Sequence, residues 1–209
     1  MQRIPRPSQA RSQQALERFL NVAAELLQSN QFEDTGIAQI AQQAESSVGT
    51  FYRLIGDKDL LLYAVHQRFV EQSRAAIDQL NETLLSQPLD LFSQTERYIS
   101  QVLTLFHGRE GLLRALIRRS SSDMQFRQRF HELNAYIAQS FSLLTLARLQ
   151  GRKHANPAQA ADLLAHVLLA SMNYHTLTGQ LGRTPNAQLP AELARMVCSY
   201  LHNDLADAE

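Results

Sequence analysis

Residues 35–58 read TGIAQIAQQAESSVGTFYRLIGDK. Ile37, Ile40, Ala41 and Ala44 fall on one apolar stripe at helical spacing, which predicts a short helix over Gly36 to Gln43. Ala44-Glu45-Ser46 makes a turn, and Ser47 stands where a helix N-cap belongs. The next helix, Val48 to Leu54, is about two turns long, too short to persist without neighbours to pack on. Gly56 ends it, and Asp57 is placed to cap a third helix. Two short helices braced in this way make a helix-turn-helix, whose second helix is suited to a DNA major groove.

The ordered set Thr35, Ile37, Ile40, Ala41, Ala44, Ser47, Gly49, Thr50, Tyr52 and Lys58 resembles the signature of the TetR family of bacterial transcriptional regulators. Arg18 to Leu27, RFLNVAAELL, is similar to that family's first helix, with Ala23 and Ala24 small enough for a close helix crossing. Together these cover about the first sixty residues; beyond Lys58 only length and an all-helical layout match. The resemblance implies DNA contacts from Gln39, Ser46, Ser47, Val48, Gly49, Thr50, Tyr52, Arg53 and Lys58. Hydroxyls at Thr50 and Tyr52 suit phosphate oxygens, which set register without reading bases. Arg53 would reach a guanine edge or a phosphate, and Val48 a thymine methyl. Gly49 would let the backbone approach DNA or a neighbouring helix, and Lys58 resembles the family's backbone clamp. Phe51 reads as core, against Ile40 and Leu27.

The chain also departs from the pattern. Glu45 replaces a usual turn glycine, and a glutamate is penalised at positive φ and carries the wrong charge for DNA. Ser46, Gly36, Leu54 and Ile55 also differ from the family's usual residues, which implies fewer phosphate bonds and modest affinity.

Charge does not announce a nucleic-acid partner. Twenty basic residues balance twenty acidic ones across 209 residues. Within residues 1–60, Arg3, Arg6, Arg11, Arg18, Arg53 and Lys58 face seven acidic side chains. The DNA reading therefore rests on the motif. No run of eighteen apolar residues suggests a membrane span, and no signal-peptide pattern opens the chain. The one cysteine, Cys198, reads as a small apolar residue or a redox sensor, and its solitude fits a reducing cytoplasm.

The periodicity predicts an all-α fold of about nine helices, at about 9–29, 36–43, 47–54, 57–85, Pro88–Phe106, Leu112–Arg119, Asp123–Leu149, Pro157–Leu181 and Pro190–Leu205. Residues 1–8 read as an arm interrupted by Pro5 and Pro7. A DNA-binding domain over 1–58 and an effector-binding and dimerisation domain over 59–209 follow from the resemblance.

Residues 158–177 are apolar on two faces, Leu164, Leu168 and Ser171 on one and Leu163, Val167, Ala170 and Tyr174 on the other. Such a helix is either central to its own domain or shared with a second subunit. With Met196, Val197 and Tyr200 of the last helix, these residues suit a four-helix homodimer interface, which the resemblance also implies. The resemblance further implies a small-molecule effector. Arg114 and Arg118, at i and i+4, would hold an anionic one or be solvated surface arginines. Phe130 belongs to a stripe that is core or pocket wall, and Asn134 and Asn173 are polar residues near apolar faces, suited to orienting a ligand.

The seven histidines show no metal-ligand spacing, and no nucleophile motif or phosphate-cradling glycine loop appears. The sequence thus points to a cytoplasmic, homodimeric, ligand-responsive regulator of transcription, a repressor on a palindromic double-stranded operator, with no enzyme activity, cofactor or metal. The rival is an all-α ligand-binding or scaffold dimer with weak or lost DNA binding.

Overall fold

The structure, a computed structural model, describes residues 10–149 and 156–202. The arm expected over 1–8, with Arg3 and Arg6, the stretch 150–155 and the residues beyond His202 that were expected to end the last helix lie outside the described residues. Among the described residues the chain forms nine α-helices: α1 (Ala10–Gln28), α2 (Ile37–Gln43), α3 (Val48–Leu54), α4 (Lys58–Ser86), α5 (Leu91–Phe106), α6 (Glu110–Ser122), α7 (Met124–Arg148), α8 (Pro157–Thr178) and α9 (Leu189–His202). A 3-10 turn, Asn186–Gln188, precedes α9. No strand is present among these residues; Leu181 and Thr184 make one isolated bridge.

The helices gather into two compact units that do not coincide with the 58/59 division expected from the sequence. One runs through Gln72 and takes in Gly108–Arg127, so α6 packs with the helix-turn-helix. The other holds Ser73–His107 and the chain from Gln128 onward.

In the first unit, Phe19 and Ala23 of α1, Ile40 of α2 and Phe51 of α3 are completely buried. The Phe19 and Phe51 rings meet edge to face, centroids 5.3 Å apart, the geometry that aromatic quadrupoles favour. Arg18 Nε donates to the Ala44 carbonyl at 2.8 Å, tying α1 to the end of α2. The crossing of α1 and α6 is set by Gly111. A Cβ there would come within 2.4 Å of Gln28 Cα and the Leu27 carbonyl oxygen, so only glycine allows this approach. Gln28 completes the joint, its Oε1 accepting from the Gly111 N–H at 2.8 Å and its Nε2 donating to Glu110 at 3.0 Å. The predicted start of this helix at Leu112 is therefore two residues late, because Gly111 is a helix-crossing residue and not a breaker.

In the second unit, the Tyr98 hydroxyl donates to the Ile137 carbonyl at 2.8 Å, and burial pushes the phenol pKa up. Gln94 donates to the Leu144 carbonyl at 3.0 Å and accepts from Arg148 Nε at 2.8 Å. The Arg148 guanidinium also donates to the Leu84 and Gln87 carbonyls, satisfying orphan acceptors at the end of α4. Pro88 does not open α5. Asp90 caps it, accepting from the Ser93 N–H at 2.7 Å, and that bond holds the carboxyl below its usual range. α8 begins as predicted at Pro157, with Asn156 as its cap, but ends at Thr178 and not Leu181 because Gly179 takes a left-handed conformation, φ 80°.

Candidate nucleic-acid interface

The two helices of residues 35–58 fold as their spacing predicts. Ser47 is the N-cap of α3, its Oγ accepting from the Thr50 N–H at 3.0 Å and lying 2.9 Å from the Thr50 hydroxyl. Gly36 is the N-cap of α2, and Gln39 reaches back so that its Oε1 accepts from the Gly36 N–H at 3.2 Å. Asp57 caps α4 by accepting from the Leu60 N–H at 2.7 Å. Phe51, Leu54 and Ile55 point into the core, which fixes the opposite side of α3 outward.

That outward side carries Ser47, Val48, Gly49, Tyr52 and Arg53, all exposed, with Thr50 half-buried at its edge. Val48 and Tyr52 lie one turn apart and are 39% and 54% exposed, large apolar surface that no described residue covers. A Cβ on Gly49 would meet only Ser47 Oγ, at 3.8 Å. Among the described residues, then, no neighbouring helix needs this glycine for packing. Ser46 is half-buried, its N–H donating to the Ala41 carbonyl at 2.9 Å, so its backbone belongs to the turn.

Glu45 stands in that turn at φ 47°, the left-handed conformation anticipated for the glycine it replaces. An L side chain there costs about 1–2 kcal/mol, offset by the entropy that glycine adds to the unfolded chain, about 0.5–1 kcal/mol. Glu45→Gly is therefore expected to raise stability by up to about 1.5 kcal/mol. Urea unfolding checks this, and a clear loss of stability would refute the strain.

Lys58 is seated in a way the sequence did not announce. Its ammonium donates to the Glu33 carbonyl at 2.7 Å and lies 5.0 Å from the centroid of the Phe32 ring. Both partners belong to the α1–α2 turn, whose path depends on Asn30 at φ 60°. An ammonium has three N–H groups, so two remain for an outside acceptor.

The effector candidates are divided between the two units. Arg114 and Arg118 are exposed on α6, in the unit with the helix-turn-helix. Phe130 and Asn134 on α7 and Asn173 on α8 are half-buried and belong to the other unit. Phe126, one turn before Phe130 on α7, stacks on Tyr63 in the first unit with centroids 4.1 Å apart.

The expected dimer residues divide in two. Leu164, Leu168 and Val197 are 4%, 1% and 0% exposed within their own chain, so they are core and unavailable to a partner. The other stripe of α8, with Val167 and Tyr174 at 40% and 55% exposed, stays open beside Met196 and Tyr200 of α9 at 39% and 45%. Leu163 and Ala170 continue that open stripe, while Ser171, half-buried, donates its hydroxyl to the Val167 carbonyl. Among the described residues no three His, Cys, Asp or Glu side chains are grouped to hold a metal, and no helix is long and apolar enough to cross a membrane.

No protein-family model and no curated protein matches the sequence. Solved structures do match. A protein from Mesorhizobium loti assigned to the TetR family of transcriptional regulators superposes with a TM-score of 0.71 at 20% identity, over 92% of this chain and 98% of that one. PfmR, a TetR-family regulator from Thermus thermophilus, gives 0.61 at 17% identity over 86% and 96%. The transcriptional regulator FadR from Bacillus subtilis, solved with stearoyl-CoA, gives 0.60 at 16% identity over 88% and 95%. The chain has the all-α fold of TetR-family transcriptional regulators.

Proposed function

We propose that the protein is a ligand-responsive transcriptional regulator of the TetR family that binds double-stranded DNA as a homodimer, acting as a repressor released by a small-molecule effector. The observation that carries this reading is the exposed face of α3, where Ser47, Val48, Gly49, Tyr52 and Arg53 face outward on a helix pinned from behind by Phe51. A two-turn helix buried on one side and left bare on the other, beside a capped turn, has the form of a major-groove reader.

In this assignment residues 1–58 hold the DNA-reading function and 59–209 the effector and dimer functions. Thr50 and Tyr52 bond phosphates through their hydroxyls, and Gln39 supplies an amide N–H group from α2. Lys58 binds phosphate with the donors that Glu33 leaves it, while Val48 and Arg53 face base edges. Leu163, Val167, Ala170, Tyr174, Met196 and Tyr200 form the isologous dimer patch. The effector acts by preferring one of two dimer states, with Phe130, Asn134 and Asn173 as its candidate contacts. The stearoyl-CoA bound by the Bacillus FadR supports a small-molecule effector as a class.

Tyr52→Phe removes one hydroxyl and is expected to weaken DNA binding by about 1 kcal/mol per subunit, equally across sequences. Lys58→Met is expected to lower the slope of log affinity against log salt by about 0.9 per subunit. Fluorescence anisotropy with duplex DNA at several salt concentrations measures both. Unchanged affinity and slope would remove these residues from the interface.

A further inference from the structure

We propose that Arg118, at the C-terminal end of α6, is a phosphate-contacting residue that extends the DNA interface beyond the helix-turn-helix. The inference rests on the DNA-binding reading above. Its starting point is where α6 lies. The helix is pressed onto α1 at Gly111, where the close backbone approach and the Gln28 bonds leave no freedom to slide. Seven residues further on, roughly 10 Å along the helix axis, Arg118 borders a hollow of about 220 Å³ against the α1–α2 turn.

That turn is the one that seats Lys58. Asn30, Phe32 and Glu33 line the hollow with Arg118, while the Lys58 ammonium is bonded to the Glu33 carbonyl and lies over the Phe32 ring. The two cations thus flank one turn, Lys58 from α4 and Arg118 from α6. Their neighbour Arg119 is engaged differently, 2.7 Å from Asp59 in the first turn of α4, which places the end of α6 level with the start of α4. Arg118 is exposed, and no described residue binds its guanidinium. Arg114, one turn back toward Gly111, does not border the hollow.

A planar guanidinium is the side chain best matched to phosphate oxygens. Glu33 and Asp34 on the turn would repel a phosphate, and Arg118 beside Glu33 reduces that repulsion. The contribution also answers the charge balance. Within 10–60 the described basic residues are Arg11, Arg18, Arg53 and Lys58, against seven acidic ones, so a cation borrowed from α6 matters to the local potential.

The test uses the full chain and a short duplex DNA of arbitrary sequence, with affinity measured across a salt series for the wild type, Arg118→Gln and Arg114→Gln. Losing one phosphate contact per subunit is expected to reduce the slope for Arg118→Gln by about 0.9 per subunit, or about 1.8 per dimer, with unchanged thermal melting. Arg114→Gln is expected to leave the slope near that of the wild type. A wild-type slope in Arg118→Gln overturns the proposal. So does a variant that binds DNA normally but no longer responds to small organic anions, which would make the hollow an effector site. Wild-type protein with no salt-dependent DNA binding overturns the DNA-reading function itself, and this inference with it.

Discussion

Phe51→Ala is expected to destabilise the unit holding the helix-turn-helix by about 3–5 kcal/mol and to abolish DNA binding. Phe51 is completely buried, and its ring is the partner of Phe19 across the α1–α3 contact. α3 spans seven residues, so it has almost no stability of its own and depends on that anchor. Removing the ring deletes its burial and leaves a cavity that α1 and α2, fixed by Arg18 on the Ala44 carbonyl, cannot collapse to fill. At about 2–4 °C per kcal/mol for a chain of this size, melting should fall by roughly 6–20 °C. Circular dichroism melting, read beside DNA binding, checks the result. A loss below about 1 kcal/mol, typical of a surface site and not of a core one, would show that α3 is held by something other than this ring.

Val167→Asp is expected to dissociate the proposed homodimer, raising its dissociation constant at least about 100-fold, or about 2.7 kcal/mol. Val167 is 40% exposed, so the carboxylate is tolerated in the isolated subunit. In an isologous interface each substitution appears twice, and both carboxylates lose water on association, at a cost of several kcal/mol per ion. Leu143→Asp is the control. Leu143 is 62% exposed on α7, outside the α8–α9 stripe, and its replacement should leave association unchanged. Sedimentation equilibrium across a concentration series distinguishes the two, and DNA binding should fall in parallel with the dimer population. A Val167→Asp protein as dimeric as the wild type would place the interface elsewhere.

The contrast between these two variants also shows what was legible in the chain. The limits of α3, its Ser47 cap and the core role of Phe51 follow from local rules, because a cap, an apolar stripe and a turn are each written within a few residues. The Asn156–Pro157 start of α8 is legible for the same reason. Glu45 was readable too, since a turn position that wants glycine keeps its positive φ whatever residue fills it.

What was not legible depends on contacts between residues far apart in sequence. Gly111 reads as a helix breaker until Gln28, 83 residues earlier, is seen against it. The seat of Lys58 on Glu33 and Phe32 has no sequence signal, because a carbonyl acceptor can belong to any residue. Arg114 and Arg118 carry the same spacing in the sequence, and only the fold shows that Arg118 borders the hollow against the α1–α2 turn while Arg114 does not. On α8, both apolar stripes have helical period, so periodicity could not tell buried Leu164 and Leu168 from open Val167 and Tyr174. Pro88 misled for a simpler reason. Asp90, two residues on, caps α5 more effectively than a proline opens it.

The most direct measurement is selection of bound duplexes from a random DNA pool by the full-length protein, followed by sequencing. Two α3 helices related by a two-fold axis predict an enriched inverted repeat, with half-sites about 10 base pairs apart or a multiple of that spacing. The Tyr52→Phe protein should recover the same repeat with weaker enrichment. Recovery of no enriched sequence from a pool that the wild-type protein has been shown to contact would contradict the account and favour an all-α ligand-binding or scaffold dimer.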